Sequence, residues 1–272
     1  MTLLSIKETI DFYGLATKKS LGQHFLLDSN ITTKIARAAG DLGGVTAIEI
    51  GPGPGGLTRA LLETDAAQVI AIEKDARCMQ ALAPLKEMYG ERFTLMEGDA
   101  LDVSPRTLCE GPRAIVANLP YNVGTELVTR WISELYHDAE SYRSITVMLQ
   151  KEVAERIVAA RGGKDYGRLA VLAQSICTAY GMLELPPGAF SPPPKVTSTV
   201  IQLKPKPRAQ FALDALERVT KAAFGNRRKM LRQSLKPLRV DAEAWCESLG
   251  IPPTERAEQL TIDQFIALAN SL

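Results

Sequence analysis

An apolar run, Ala114-Ile115-Val116-Ala117, gives way abruptly to Asn118, Leu119, Pro120 and Tyr121. An amide that needs hydrogen bonds, a residue of fixed φ without an N–H, and a flat ring are unusual at the end of a buried strand. Together they suit one chemistry. The exocyclic amine of a purine is a poor nucleophile because its lone pair is delocalised into the ring. Two acceptors aimed at its N–H groups, the Asn118 side-chain oxygen and the Leu119 carbonyl, favour the pyramidal form that frees the lone pair. Pro120 removes a competing donor, and Tyr121 offers a face on which an extruded base can stack. Positioning and electrostatics then supply the rate, and no strong base is required. A strand-end turn beside a buried tyrosine is the purely structural reading of the same residues.

A methyl donor is suggested upstream. "EIGPGPGG" (49–56) joins a short apolar run to a helical segment, and Gly51, Gly53 and Gly56 match a dinucleotide-type fingerprint. Glu73, about twenty residues on, can accept both hydroxyls of a ribose. This much fits an adenosine cofactor and does not separate NAD from S-adenosylmethionine. Three features favour the latter. Glu49 sits where a carboxylate suits a cationic methyl donor better than a pyrophosphate. Asp99, with Ala100 beside it, ends "EGDA" where an adenine amine can be met. Asn118 ends the strand at the switch point. The competing reading of Asp99 is a turn or helix cap.

These residues must be held by an alternating framework. Strand-like segments at 46–50, 67–75, 93–101, 113–120 and 144–150 alternate with helical ones. The pattern predicts an α/β, doubly wound, mostly parallel sheet, whose ligands bind beyond the carboxyl ends of its strands. A helix near 167–179 leads to 181–190 and 195–203, which are expected to pair antiparallel at the sheet edge. "KPKPRAQ" (204–210) reads as a linker. Beyond it the pattern is helical only, giving a catalytic domain over 1–205 and a small all-helical domain over 206–272.

The net charge of +1 conceals an asymmetry. Residues 204–239 hold eleven Lys or Arg against two acids, while 241–272 hold six acids and one Arg. Such a basic segment is the footprint of a polyanion partner or a solvated face. Arg228, Arg232 and Lys236 fall four apart and are expected on one helical face, beside a stripe of Phe224, Leu231, Leu235 and Leu238. With Arg227 and Lys229 they form the candidate RNA-binding cluster. Cys78, Cys109, Cys177 and Cys246 form no C-x-x-C pair and His is scarce, which argues against a zinc site. No segment reaches the ~18 apolar residues of a membrane span. The N-terminus lacks a cleavable-signal pattern, and a cytoplasmic monomer with reduced thiols is expected.

The motif series "LGQHFLLD", "EIGPGPGGLT", "AIEKD", "EGDAL", "VANLPYNV", "QKEVAERI", "FSPPPKV" and "FGNRRKMLRQSL" resembles, in order and over nearly the whole chain, the bacterial small-subunit rRNA dimethyladenosine transferases of the kasugamycin-resistance methyltransferase family. His24 stands where many relatives have Asn. The resemblance implies a Rossmann-like fold and S-adenosylmethionine contacts from Gln23, His24, Leu26, Gly51, Glu73, Asp99 and Asn118. It implies a target pocket of Asn118, Leu119, Pro120 and Tyr121, with Phe190 as a second stacking ring. It also implies dimethylation of N6 on two adjacent adenines near the 3′ end of 16S rRNA in the small ribosomal subunit, and a checkpoint role in subunit assembly. Large-subunit methyltransferases share the catalytic motifs but not "FGNRRKMLRQSL". A dehydrogenase leaves Asn-Leu-Pro-Tyr and the basic segment unexplained. A glutamine-modifying protein methyltransferase would carry Asn-Pro-Pro-Tyr. A binding-only assembly factor would not need an intact pocket.

Overall fold

Continuous apolar runs form strands only where both faces can be covered, and the five residues of 46–50 are all buried. The computed structural model describes residues 3–15, 23–207 and 210–272. Its strands are β1 (Phe25–Leu26), β2 (Thr46–Ile50), β3 (Gln68–Glu73), β4 (Phe93–Glu97), β5 (Arg113–Asn118), β6 (Ser144–Gln150), β7 (Cys177–Leu185), β8 (Phe190–Ser191) and β9 (Ser198–Pro205). Seven form one sheet in the order β4-β3-β2-β5-β6-β9-β7, and β1 pairs with β8. β2 pairs in parallel with β3 and β5, β3 with β4, and β5 with β6. The order reverses between β2 and β5, so the loops leaving their carboxyl ends flank the switch point. The α/β, Rossmann-like architecture is therefore as the sequence predicts.

Details differ for physical reasons. β9 runs antiparallel to β6 and lies one strand inside the edge, with β7 outside it. The first six residues of β9 are buried and need a neighbour on each side, whereas the middle of β7 is exposed and tolerates the edge. The preceding helix, Arg168–Ile176, gives way to β7 at Cys177. Phe190 leaves this sheet for β8, opposite Leu26 of β1. β4 stops at Glu97, so Asp99 lies in the following loop. Lys204 and Pro205 belong to β9 rather than to a linker. Leu21 and Gly22 of the first motif, and Arg208 and Ala209, lie outside the described residues.

The chain divides into two compact units. The first comprises Met1–Trp131, Glu140–Ala154 and Tyr180–Pro205; the second comprises Ile132–Ala139, Glu155–Ala179 and Lys206–Leu272. The second thus takes in two segments that the division at 205/206 gives to the first. From Lys206 onward it is helical, with Leu213–Phe224, Leu231–Ser234, Ala242–Ser248 and Ile262–Asn270. Phe224 stacks on Phe265 at 5.5 Å and meets Tyr166 edge-on at 6.1 Å. Among the described residues no helix is long and apolar enough to cross a membrane.

The expected basic helical face does not form. The helix carrying Phe224 ends there, residues 225–230 turn, and only Leu231–Ser234 is helical before further turns. The backbone explains this. Leu231 N–H donates to the Glu255 carbonyl and Arg232 N–H to that of Pro253, with Met230 bridged to Arg256. These bonds replace the helical ladder that would have placed Arg228, Arg232 and Lys236 in one row. Leu231 and Leu235 are nonetheless fully buried, so the apolar stripe serves as core.

Gln202 fastens the helix Ser29–Ala38 to the sheet. Its buried amide nitrogen donates to the Ala38 and Ala39 carbonyls at 2.8 and 3.0 Å and to Thr146 Oγ1 at 3.3 Å. Gln202→Leu keeps the volume but strands the buried Ala39 carbonyl, at about 1–3 kcal/mol, and the part-buried Ala38 carbonyl, at less. The urea midpoint should fall with the slope unchanged. An unchanged midpoint would show that these carbonyls find other partners.

Candidate functional site

The two loops at the switch point bound a cavity of about 350 Å³, wholly within the first unit. It is lined by Gln23, His24 and Leu26, by Glu49, Gly51 and Gly53, by Glu73, by Asp99 and Ala100, and by Asn118 through Tyr121. The structure thus brings together every sequence-predicted cofactor residue and four of the five predicted target-pocket residues. Pro54, Lys74, Leu101 and Asn122 also line it and carried no expectation.

The glycine loop is a cradle for a reason that can be read from its backbone. Gly51 and Gly53 have φ of +67° and +56°, a region costly for other residues. A Cβ on Gly53 would also lie 3.0 Å from the Phe25 ring. Gly53 N–H donates to Glu73 Oε2 at 3.1 Å, while Glu73 Oε1 accepts from the N–H groups of Lys74 and Asp75 at 2.8 and 2.7 Å. Glu73 therefore shapes the loop as well as lining the cavity, a second task the sequence reading did not assign it. Burial pushes its pKa up, opposed by these three backbone donors.

Glu49 is the uncompensated acid. It is 1% exposed, and among the described residues Oε2 has no hydrogen-bond partner. Burial pushes its pKa up to about 8, with the charge of Glu73 adding to the shift. The nearby Thr58 hydroxyl offsets part of this, although Thr58 Oγ1 makes no well-formed hydrogen bond. A buried carboxylate oxygen without a donor fits a cationic ligand, the property that separates S-adenosylmethionine from a pyrophosphate.

Two further acids, Asp99 and Asp75, are already paired. Asp99 Oδ2 lies 2.5 Å from Lys74 Nζ and Oδ1 accepts the Leu101 N–H at 3.0 Å; these contacts hold its pKa down. The turn reading of Asp99 is thus realised, and an adenine amine would share its oxygens with Lys74. Asp75 is held at about 2, chiefly by Arg77, with Gln23 Nε2 donating to Oδ2 at 3.4 Å. Arg77 NH1 in turn donates to the Gly14 carbonyl. This tie across distant segments had no signal in the sequence.

At the end of β5 the Asn118 amide nitrogen donates to the His24 carbonyl at 3.3 Å. That bond sets the amide orientation, so that among the described residues Oδ1 is left as an acceptor. The Tyr121 ring lies 5.5 Å from the His24 ring at 31°, and its hydroxyl is 2.6 Å from Ser198 Oγ. Burial raises the Tyr121 pKa, opposed by Ser198. Pro120 accepts from the N–H groups of Val123 and Gly124, turning the chain into the helix Gly124–His137.

Phe190 and the expected basic cluster lie apart from the cavity lining. Phe190 is 5% exposed, packs in the core with Leu26 and Leu185, and does not line the cavity. In the basic cluster, Arg227, Arg228, Lys229 and Lys236 are exposed, Arg227 also donating to the Tyr166 carbonyl at 2.9 Å, and the half-buried Arg232 lies 3.6 Å from Glu243. Among the described residues no cluster of His, Cys, Asp or Glu could hold a metal ion.

Known proteins resemble this chain over nearly all its length. The model of a family described as ribosomal RNA adenine dimethylase matches residues 14–272. A ribosomal RNA small subunit methyltransferase A of Ruegeria sp. is 52% identical over 98% of the chain and 96% of that protein. The crystal structure of a dimethyladenosine transferase from Plasmodium falciparum superposes with a TM-score of 0.74 at 26% identity, covering 90% of this chain and 96% of that one. The 23S rRNA methyltransferase ErmE superposes at 0.70 with 24% identity, covering 90% and 97%; this likeness is one of fold.

Glu49 gives a pH test. A carboxyl whose folded pKa is raised binds its proton more tightly when folded. Its stabilising contribution to the ligand-free protein is present below the ordinary carboxylate range and is lost as pH rises through about 8. The Tm of Glu49→Gln relative to the parent should therefore rise between pH 5.5 and 8.5. Conversely, S-adenosylmethionine should need the ionised form, so its affinity should fall by up to about tenfold per pH unit below 8, and Glu49→Gln should remove that slope. Identical slopes in calorimetry would show that Glu49 does not meet the cation.

Proposed function

Because the chain belongs to the ribosomal RNA adenine dimethylase family, we propose that it dimethylates N6 of two adjacent adenosines in the hairpin loop near the 3′ end of 16S rRNA. The substrate is the small ribosomal subunit, and the modification serves ribosome biogenesis. The enzyme acts as a cytoplasmic monomer. The observation that carries this reading is the Asn118 amide, fixed by the His24 carbonyl at the rim of the same cavity that holds the glycine loop.

S-adenosylmethionine, the methyl donor of this family, supplies an electrophilic methyl group on a sulfonium. The protein's own residues do the rest. Glu49 offers its unpartnered Oε2 to positive charge, and Glu73 offers the remaining lone pairs of its oxygens to ribose hydroxyls. Asp99 and Ala100 border the place for an adenine. Asn118 Oδ1 and the Leu119 carbonyl accept the two N–H bonds of the target amine, and Tyr121 stacks on its ring. Because the acceptors strengthen as the nitrogen becomes tetrahedral and positive, they act chiefly in the transition state. Proton loss follows methyl transfer and needs no buried base.

Arg228, Lys229 and Lys236 are exposed and contact phosphates rather than bases. Replacing all three with Ala should weaken small-subunit binding and reduce its log–log salt slope by up to about 3. Affinity for S-adenosylmethionine should hold, since none of the three lines the cavity. Labelled-methyl transfer decides the function itself. Label should enter undermethylated small subunits as dimethyladenosine and leave large subunits unlabelled. Label in large subunits, or none in either, would overturn the assignment.

A further inference from the structure

Tyr121 is held from two sides by residues far away in the chain. Its hydroxyl lies 2.6 Å from the Oγ of Ser198, which is fully buried at the start of β9. The His24 imidazole lies against its ring, with centroids 5.5 Å apart and planes tilted by 31°. His24 is itself tethered twice. Its Nδ1 lies 2.8 Å from the Pro192 carbonyl, and its own carbonyl accepts the Asn118 amide. A group fixed at both backbone and ring is a wall, not a placeholder that an incoming base would push aside.

We infer that His24 and Ser198 are positioning residues for the methyl acceptor, clamping the Tyr121 ring so that one face and one tilt are offered to the target base. This rests on Tyr121 stacking that base. The physical reason is rotational. A tyrosine free to turn about χ1 and χ2 could still stack a base, but in many poses, few of which align the amine with Asn118 Oδ1. Fixing the hydroxyl and backing the ring selects one pose. The same His24 residue orients Asn118 through its carbonyl, so ring and acceptor share a single reference point. The hydroxyl of Tyr121 thereby acquires a role that stacking alone does not give it.

A double-mutant cycle on the full enzyme with undermethylated small subunits tests the clamp. Ser198→Ala and Tyr121→Phe should each lower kcat by about three- to tenfold, the worth of one hydrogen bond. The double variant should be no slower than Tyr121→Phe. KM for subunits should change little, because phosphate contacts elsewhere carry most of the affinity. His24→Ala should lose about two- to tenfold in kcat, and His24→Phe, which restores a stacking ring, should recover most of it. Calorimetry should give an unchanged S-adenosylmethionine Kd for Ser198→Ala and Tyr121→Phe, confirming that they fold. Additive effects in the cycle, or a His24→Phe variant no better than His24→Ala, would overturn the clamp. Full activity in Tyr121→Ala would instead overturn the stacking role on which it rests.

Discussion

A strand buried on both faces must find a hydrogen-bonding neighbour on each edge, and β2 meets this constraint by pairing in parallel with β3 and β5 at once. The rest of the site follows. Because the sheet order reverses there, two loops emerge side by side at the carboxyl ends of β2 and β5. One presents backbone at glycines where a side chain would clash or be strained. The other presents an amide, a carbonyl and a ring. The register Ile48 opposite Ile115 leaves two residues of β2 and three of β5 beyond the last pair. The strand ends thus diverge where the cavity opens.

Electrostatics then divides the labour among four acids. Asp75 and Asp99 are neutralised by Arg77 and Lys74, and both titrate below their ordinary range. Glu73 is buried but compensated by three backbone donors. Glu49 alone is buried with an unpartnered oxygen. The uncompensated Oε2 of Glu49 makes the site a receptor for positive charge. It is also destabilising in the absence of ligand, as binding sites often are.

Much of this was legible in the sequence because it is local. A glycine loop after an apolar run, an acid about twenty residues later, and Asn-Leu-Pro-Tyr after another run each announce themselves within a few residues. What was not legible depends on long-range pairing. Ser198 reaches Tyr121 across 77 positions, and nothing in "KVTSTV" distinguishes it from any inward-facing strand residue. Phe190 was expected as a second stacking ring, and packing against Leu26, distant in sequence, and Leu185 buries it. The four-residue spacing of Arg228, Arg232 and Lys236 suggested one helical face. Residues 253–255 instead accept the backbone donors of Leu231 and Arg232 and unwind the row. Periodicity reports what a helix would display, not whether tertiary hydrogen bonds leave the helix intact.

The central claim is that Asn118 acts on the transition state while the glycine loop and its acids act on the cofactor. Its most direct measurement is kcat of Asn118→Ala at saturating S-adenosylmethionine and saturating small subunits, with calorimetric Kd beside it. The expected result is a fall in kcat on the order of 10²-fold, with Kd moving far less. Recovery of the parent rate at saturating S-adenosylmethionine would contradict the claim, because Asn118 would then serve cofactor binding alone.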